Sequence, residues 1–374
     1  MARSIGRARV TAAATSPAAS EKEIALIESD LAHLASIRKR TLKTLREALK
    51  GHTSVAIVDA PNQRNVGDSL IWAGELEYVR ELGLTLHYVS DMWTFDPRAL
   101  RKNMPSGAVL LHGGGNFGDL WLGHQIHREI VVQALPDYPI IQLPQSIFFG
   151  DATRARQADR VLSAHPDFVA LIRDEISMSR ATDQLPNVRI SYCPDMALGW
   201  KSSRPLPRTP RVDVLAIARA DMEASSNLAE VDSTWLNGAS FMKTDWWPSG
   251  KFSLPWRTAR LATLVYRYYV KARKRLQWLP AGWVDRLGAR FIKKINAVNV
   301  ACATDLYGTA RVVVVDRLHA HVLAALLSVP HVVMDNNYRK VSAIYDEYSG
   351  AFSTAHYAAD LPAARAEILR LLGR

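Results

Sequence analysis

The chain has 374 residues, of which 48% are hydrophobic, and a formal net charge of +11. This composition is typical of a globular protein with room for two ordinary domains, and it excludes a disordered chain. No apolar run approaches the roughly 18–20 residues of a membrane-spanning helix, and the separated Cys193 and Cys302 predict neither a disulfide framework nor a zinc site, which favours a reducing compartment.

The N-terminal region divides into two parts. Residues 1–20 are basic and contain no acid, and they lack the apolar core of a secretory signal. We expect a disordered tail there, with a targeting segment as the alternative. Residues 21–50 have few breakers and apolar residues near helical spacing, which predicts one or two helices.

From Ser54 the pattern becomes strand, loop and helix, repeated. The predicted strands are 54–60, 84–90, 108–112, 139–146, 167–174 and 188–195, and the predicted helices include 69–82, about 96–102 and about 124–135. Continuous apolar strands that alternate with amphipathic helices indicate a parallel sheet covered on both faces. The first domain is therefore expected over residues 51–205, after the tail and helix of residues 1–50.

A second α/β domain is expected over residues 206–374, after a proline-rich, basic linker at 201–211. Its predicted strands are 212–219, 311–319 and 331–335, and its predicted helices include about 288–308 and 339–348. The region 221–296 is predicted to be a large insertion. The fold class is thus α/β, with two Rossmann-like parallel-sheet domains facing a cleft that the carboxyl ends of the strands line.

The glycines of VLLHGGGNFGDLW match the spacing of a dinucleotide-binding fingerprint, from Gly113 to Gly118. However, the next strand ends in Leu-Pro-Gln-Ser without the acid that would hold a ribose, and this is about the third βα unit instead of the first. No Walker lysine follows. The remaining interpretations are a structural turn, or a loop whose backbone approaches a polar ligand with N–H groups at a helix start available to an anion.

Charged residues follow several of the predicted strands in the first part of the chain. Asp68 is either a cap of the helix predicted from Ser69 or a base at the cleft edge. Arg173 is either part of a surface ion pair or an anion clamp. Arg219, Asp221 and Glu223 alternate after an apolar strand and would project to one side of an extended chain.

The strand at 311–315 is followed by a stronger signal. Arg317 and His319 come directly after it, and His319 falls near the start of the next helix, where a bound anion is favoured; a structural histidine is the alternative. His321, inside the helix, is predicted to be structural. Lys340 lies in the adjoining loop and is either solvated or a ligand. Arginine, histidine and lysine from neighbouring strand ends predict a pocket for a small anion that carries both phosphate and carboxylate.

The insertion contains a basic segment. Eleven lysines and arginines between Pro255 and Asn296 accompany a single acid, Asp285: Arg257, Arg260, Arg267, Lys271, Arg273, Lys274, Arg275, Arg286, Arg290, Lys293 and Lys294. Tyrosines and tryptophans are interleaved with them. This pattern favours either an interfacial helix attracted to anionic lipid through residues 257–294 or a solvated basic helix pair. A nucleic-acid surface is disfavoured because no recognition motif accompanies the charge.

Several of these stretches, taken together and in order over about residues 54–346, resemble the polysaccharide pyruvyl transferase family. The matching stretches are NVGDSLI, LLHGGGNFGDLW, IIQLPQSI, LIRDEIS, YCPDMAL, IARADMEAS and the run from VVVVDRLHAH to VSAIYD. The sequence departs from the family's pattern between about residues 224 and 300.

The resemblance implies a GT-B-like fold and a transferase that moves the enolpyruvyl unit of phosphoenolpyruvate onto a sugar as a cyclic ketal, with release of phosphate. It implies no metal and no cofactor beyond phosphoenolpyruvate as co-substrate. The acceptor would be a glycan, often lipid-linked, which implies a cytoplasmic protein at the inner face of the membrane. The alternatives are a GT-B-like glycosyltransferase with a nucleotide-sugar donor and a catalytically silent glycan-binding protein.

The resemblance also suggests residue roles. Arg173, His319 and Lys340 match positions that bind phosphoenolpyruvate, and Arg317 lies in the same block. His319 would be a general acid or an electrostatic partner of phosphate. Asp68 is our candidate for the base, with Asp221 or Glu223 as rivals. The floor of the donor or acceptor site would be formed by Gly114, Gly115 and Asn116, with Arg219 and Glu223 nearby.

Overall fold

The computed structural model describes residues 17–202, 206, 209–219, 226–236, 238–244, 246–335 and 340–374. Side chains are described from Leu26 onward and, in the last segment, from Val341 onward. The predicted tail up to residue 16, together with Asp221 and Glu223, therefore lies outside the described residues, as does the side chain of Lys340.

The first half of the chain begins with one long helix and continues as a parallel sheet with helices on both faces. Its elements are α1 (Pro17–Leu49), β1 (Ser54–Val58), α2 (Val66–Glu81), β2 (Thr85–Ser90), α3 (Pro97–Asn103), β3 (Ala108–Leu111), β4 (Gly114–Gly118), α4 (Leu122–Ala134), β5 (Ile140–Phe148), α5 (Ala152–Ser163), β6 (Phe168–Ile172), α6 (Glu175–Gln184) and β7 (Ile190–Tyr192). The strand order is β2-β1-β3-β5-β6-β7, with β4 beside β5.

The second half forms a second parallel sheet. Its elements are β8 (Val212–Ile217), β9 (Phe241–Thr244), α7 (Ser253–Arg275), α8 (Trp283–Tyr307), β10 (Ala310–Val315), α9 (Leu318–Leu326), β11 (His331–Val333), α10 (Lys340–Glu347), β12 (Ala355–Tyr357) and α11 (Leu361–Leu372). The strand order is β12-β11-β10-β8-β9. The predicted α/β class with two Rossmann-like parallel-sheet domains is confirmed.

Burial explains why these runs form parallel strands. Every residue of β6, and Val312–Val315 in β10, is buried, as expected for strands covered by helices on both faces. Leu70 of α2 and Val322 of α9 belong to the same apolar cluster, so the core continues from one sheet to the other. Each fully buried side chain of this size contributes about 1.5–3 kcal/mol relative to exposure.

The glycine stretch differs from its predicted form. Gly114–Gly118 is a short parallel strand beside β5 instead of a turn that opens a helix. At Gly118, with φ +119°, a β-carbon would lie 1.8 Å from the Phe148 carbonyl oxygen. Only glycine allows this approach of the two backbones. The expected loop over these glycines is therefore a strand, and the next helix begins at Leu122, close to the predicted His124.

The predicted insertion at 221–296 is wrong at Phe241–Thr244, since β9 belongs to the second sheet; the later part forms two long helices that pack on the first sheet's domain. Helix α8 begins at Trp283, earlier than predicted, and packs against α7 and α2. Asn296 of α8 bonds Ser69 of α2 at 2.7 Å, and Asn299 donates to the Gln63 carbonyl at 2.9 Å. The α7–α8 pair thus joins the two halves, because α8 leads directly into β10. Among the helices described, none combines the length and hydropathy needed to cross a membrane.

Candidate functional site

The carboxyl ends of strands from both sheets open onto one cleft, the kind of concave site between two sheets at which small molecules bind. Seven of the predicted site residues line it: Asp68, Gly115, Asn116, Arg173, Arg219, Arg317 and His319. Gly114 does not line the cleft: a β-carbon built on it would point toward the Ile71 side chain, 3.6 Å away. The cleft collects these residues because the carboxyl ends of parallel strands meet at one edge of a sheet.

Arg173 and His319 meet at a buried carboxylate. Arg173, directly after β6, donates from Nη1 to Oδ2 of Asp195 at 2.5 Å and from Nε to Ser146 Oγ at 2.9 Å. His319 Nε2 lies 3.3 Å from the same Asp195 oxygen. Arg173 is buried, so the alternative of a surface ion pair is wrong. The carboxylate accepts from both partners and therefore orients both toward the cleft.

Asp195 is ionised at neutral pH. Burial raises the pKa of its carboxyl, but the charges of Arg173 and His319 outweigh burial and hold the pKa well below its usual range. The sequence interpretation missed this residue as a site member. The available signal was its position, because Asp195 closes the stretch YCPD after a predicted strand.

His319 lies in the first turn of α9, as predicted, and Arg317 is the residue that precedes the helix. Both line the cleft, so the helix start faces it, and its backbone N–H groups favour an anion there. Gly67 of α2 lies against the imidazole: a β-carbon at Gly67 would be 2.9 Å from His319 Nδ1. His321 is buried and bonds His331 and Ser349, both at 2.7 Å, in agreement with a structural role.

Arg219 is held at the cleft by a second buried acid. Asp316, directly after β10, accepts the backbone N–H of Arg219 at 2.8 Å and the Ser226 hydroxyl at 2.7 Å. Burial raises the pKa of Asp316 above its usual value despite these bonds. Asp316 therefore ties the end of β8 to the end of β10.

Asp68 lies in the first turn of α2 and does not cap it. The helix begins at Val66, and the cap is Asn65, whose side chain accepts the Gly67 N–H at 2.9 Å. The Asp68 carboxylate accepts from Gln63 Nε2 at 3.0 Å and from Asn65 Nδ2 at 2.8 Å. The capping alternative is therefore wrong, and the carboxylate is held at the cleft by neighbours on its own loop.

Asn116 is fixed by buried polar groups. Its side-chain oxygen accepts from Arg128 Nη2 at 2.9 Å and from Gln145 Nε2 at 3.0 Å, and its N–H donates to Gln145 Oε1 at 3.0 Å. Burial lowers the pKa of Arg128 to about 10. At Gly115, a β-carbon would approach the Arg173 guanidinium at 3.3 Å, so the absent side chain leaves that guanidinium accessible from the cleft.

A histidine–carboxylate pair on the first sheet's side of the cleft was not predicted. His124 in the first turn of α4 lines the cleft, and its Nδ1 lies 2.9 Å from the buried Asp59 carboxylate. Burial alone would lower the pKa of His124, but Asp59 outweighs it and the pKa is raised. Asp59 follows β1 with φ +65°, a left-handed conformation that is uncommon outside glycine and often found at functional sites.

Comparisons with known proteins identify a family, similar sequences and a similar fold. Residues 65–338 match the family described as polysaccharide pyruvyl transferase. The chain is 28% identical to pyruvyl transferase 1 of Schizosaccharomyces pombe, over 77% of the chain and 67% of the relative. It is also 28% identical to EpsO, a putative pyruvyl transferase of Bacillus subtilis, over 83% and 90% of the two chains. An uncharacterised Klebsiella pneumoniae protein of known structure shares the fold, with a TM-score of 0.52 at 18% identity, covering 86% of this chain and 98% of that one.

Proposed function

The chain belongs to the polysaccharide pyruvyl transferase family, and we propose that it transfers the enolpyruvyl unit of phosphoenolpyruvate to a sugar of an exopolysaccharide or lipid-linked oligosaccharide as a cyclic ketal. The family and the two pyruvyl transferase relatives favour this activity over transfer from a nucleotide sugar. Phosphoenolpyruvate is the co-substrate, and the reaction as proposed needs no cofactor.

The cluster of Arg173, Arg317 and His319 at one end of the cleft carries the proposal. Phosphoenolpyruvate carries its phosphate ester and its carboxylate on the same carbon, C2, and two guanidiniums with an imidazole at a helix start suit both groups. Asp195 limits the freedom of Arg173 and His319, so less entropy is lost when they bind the anion. Lys340, at the start of α10, is proposed as a further ligand.

The proposed reaction proceeds by addition and elimination. A sugar hydroxyl adds to C2 of phosphoenolpyruvate as C3 gains a proton and becomes a methyl group. The bond from C2 to the phosphate oxygen then breaks, which leaves an oxocarbenium-like centre and inorganic phosphate. A second hydroxyl of the same sugar adds to C2 and loses its proton, which closes the ketal. Of the two hydroxyl protons, one is balanced by the new methyl group and the other by the phosphate.

The residues of the cleft divide between these steps. We propose that His319 supplies a proton or stabilises the leaving phosphate, and that Arg173 and Arg317 stabilise the anionic groups. Asp68 is proposed as the base that takes a hydroxyl proton, and Asp221 and Glu223 remain rival candidates. Asn116 and Gly115 would form the floor on which the sugar lies.

The reaction can be tested with the purified protein, phosphoenolpyruvate and a set of lipid-linked and soluble oligosaccharides. We expect release of inorganic phosphate that depends on the acceptor, and a product mass increased by one ketal-linked pyruvate. A parallel incubation with nucleotide sugars provides the contrasting arm. Sugar transfer from a nucleotide, without phosphate release from phosphoenolpyruvate, would contradict the proposal.

A further inference from the structure

The face of α7 that points away from the core is apolar. Four residues of α7, spaced at seven, four and three positions, are exposed and fall on one side of the helix: Leu254, Leu261, Val265 and Tyr268. The opposite side of α7 is buried, at residues such as Thr263 and Val270. At 3.6 residues per turn the apolar set forms a stripe roughly 21 Å long, from the 1.5 Å rise per residue. We call this stripe the hairpin face.

Every charged residue of α7 is basic. Arg257, Lys271 and Arg275 are exposed along its edge. The only acid between Pro255 and Asn296 is Asp285, which is buried and bonds Arg273 at 2.7 Å. Arg273 is therefore a buried ion-pair residue and contributes neither to a lipid-facing surface nor to a solvated one. An exposed apolar stripe with a positive border has the character of a helix that lies in a bilayer interface.

The hairpin face continues toward the cleft through exposed aromatic and aliphatic side chains. The Arg267 guanidinium lies 4.0 Å from the ring centre of the exposed Trp93, and Met92 lies against Gly123 at the start of α4. Along α4, the exposed Leu122, Ile126 and Ile130 repeat every four residues. Trp121, directly before them, is 47% exposed and lines the cleft. An apolar path thus runs from α7 to the mouth of the cleft.

We propose that the hairpin face docks on the surface of an anionic lipid bilayer and places the mouth of the cleft beside the membrane. An apolar stripe alone would also suit a second copy of this chain. The positive border decides against that occupant, because a two-fold contact would bring Arg257, Lys271 and Arg275 toward the same charges of the other copy. Anionic headgroups instead complement this border. Delivery of a lipid-linked acceptor along the path to Trp121 is the part of the inference that rests on the proposed function.

The test is binding of the full chain to vesicles of phosphatidylcholine with or without phosphatidylglycerol, measured by co-sedimentation. We expect binding to the anionic vesicles that weakens as salt is raised. Leu261→Glu combined with Tyr268→Glu should lower the partition coefficient at least roughly tenfold, because two apolar contacts become charged. Leu31→Glu on α1 is the matched control, since Leu31 is 61% exposed and Leu261 is 64% exposed.

A second variant tests the charge alone. Arg257→Glu, Lys271→Glu and Arg275→Glu together should reduce binding roughly 100-fold or more, because three charges that attract anionic headgroups become charges that repel them. The inference would be overturned if the wild-type protein did not bind anionic vesicles, or if the variants bound them as tightly as the wild type does. So would a dimer in sedimentation equilibrium that Leu261→Glu converts to a monomer.

Phosphate release with a soluble acceptor separates this inference from the proposed function. The hairpin-face variants should keep that activity, since the substituted residues lie outside the cleft. Intact phosphate release without vesicle binding would refute the membrane surface and leave the enzyme assignment standing. Vesicle binding without any phosphate release would refute the enzyme assignment and leave the membrane surface standing.

Discussion

Gly67 offers a test of His319 by a single methyl group. In Gly67→Ala the new β-carbon would lie 2.9 Å from His319 Nδ1 and 3.2 Å from His319 Cβ. Non-bonded heavy atoms prefer about 3.5–4.0 Å, so the imidazole must move by roughly 0.6–1 Å. A displacement of about 1 Å at a reacting group can cost roughly 100-fold in rate. We expect kcat/KM for phosphate release to fall by roughly 10- to 100-fold.

The same substitution should leave the fold stable. Gly67 is the second residue of α2, and the new β-carbon also lies 3.2 Å from Oδ1 of the cap residue Asn65. Alanine is favoured over glycine in a helix by about 1 kcal/mol, which offsets part of the destabilisation from these close contacts. The assay is therefore phosphate release together with thermal unfolding. Gly123→Ala is the matched control, because Gly123 is the second residue of α4 and a β-carbon there meets only Met92, at an ordinary 3.7 Å.

The two glycines give opposite expectations. Gly123→Ala should keep wild-type activity. Gly67→Ala should lose activity, while its free energy of unfolding stays within about 1 kcal/mol of the wild-type value. If Gly67→Ala is folded and retains wild-type kcat/KM, the position of His319 does not matter to the reaction. The role assigned to His319 would then be refuted.

Two further predictions concern the centre formed with Asp195. His319→Ala should lower kcat by about 100-fold or more, as for loss of a general acid, in the same phosphate assay; an unchanged kcat would remove His319 from the chemistry. Asp195→Asn leaves the buried Arg173 guanidinium without its carboxylate and should destabilise the protein by about 3–5 kcal/mol in urea unfolding at pH 7. Because the pKa of Asp195 is depressed in the folded state, its stabilisation is complete above about pH 4 and is lost as the pH falls. The wild type should therefore approach the stability of the variant in acid, and a constant difference from pH 7 to pH 2 would contradict this account.

The fold class could be predicted because each strand is a short apolar run that is followed by a helical pattern. The residues of the cleft could be predicted for a related reason. Arg173 and Arg317 come directly after strands, and parallel topology carries all strand ends to one edge. Local pattern and sheet geometry were sufficient for these two conclusions.

The errors arise where neighbouring groups compete or where distant segments meet. Asn65 and Asp68 are both suitable caps, and the sequence does not say which one captures the free N–H groups of α2. The strand at Gly114–Gly118 has no apolar alternation, and it exists because β5 supplies its hydrogen-bonding partner. Asp195 could not be assigned to the site from the sequence, because its role depends on the fold bringing Arg173 and His319 into contact with it.

Helix α8 has a mechanical consequence for the cleft. It is covalently continuous with the second sheet through β10, yet Asn296 and Asn299 bond the loop and helix that carry Asp68. A rotation about the junction of α8 and β10 would leave these bonds intact, but it would separate His319 from Asp195 and divide the apolar cluster that Leu70 and Val322 share. We therefore expect the two halves to stay fixed relative to each other during turnover. Substrates and products would then enter and leave only at the outer rim of the cleft, near Trp121. In such an enzyme, phosphoenolpyruvate and the glycan would enter, and phosphate and the ketal product would leave, through the same opening.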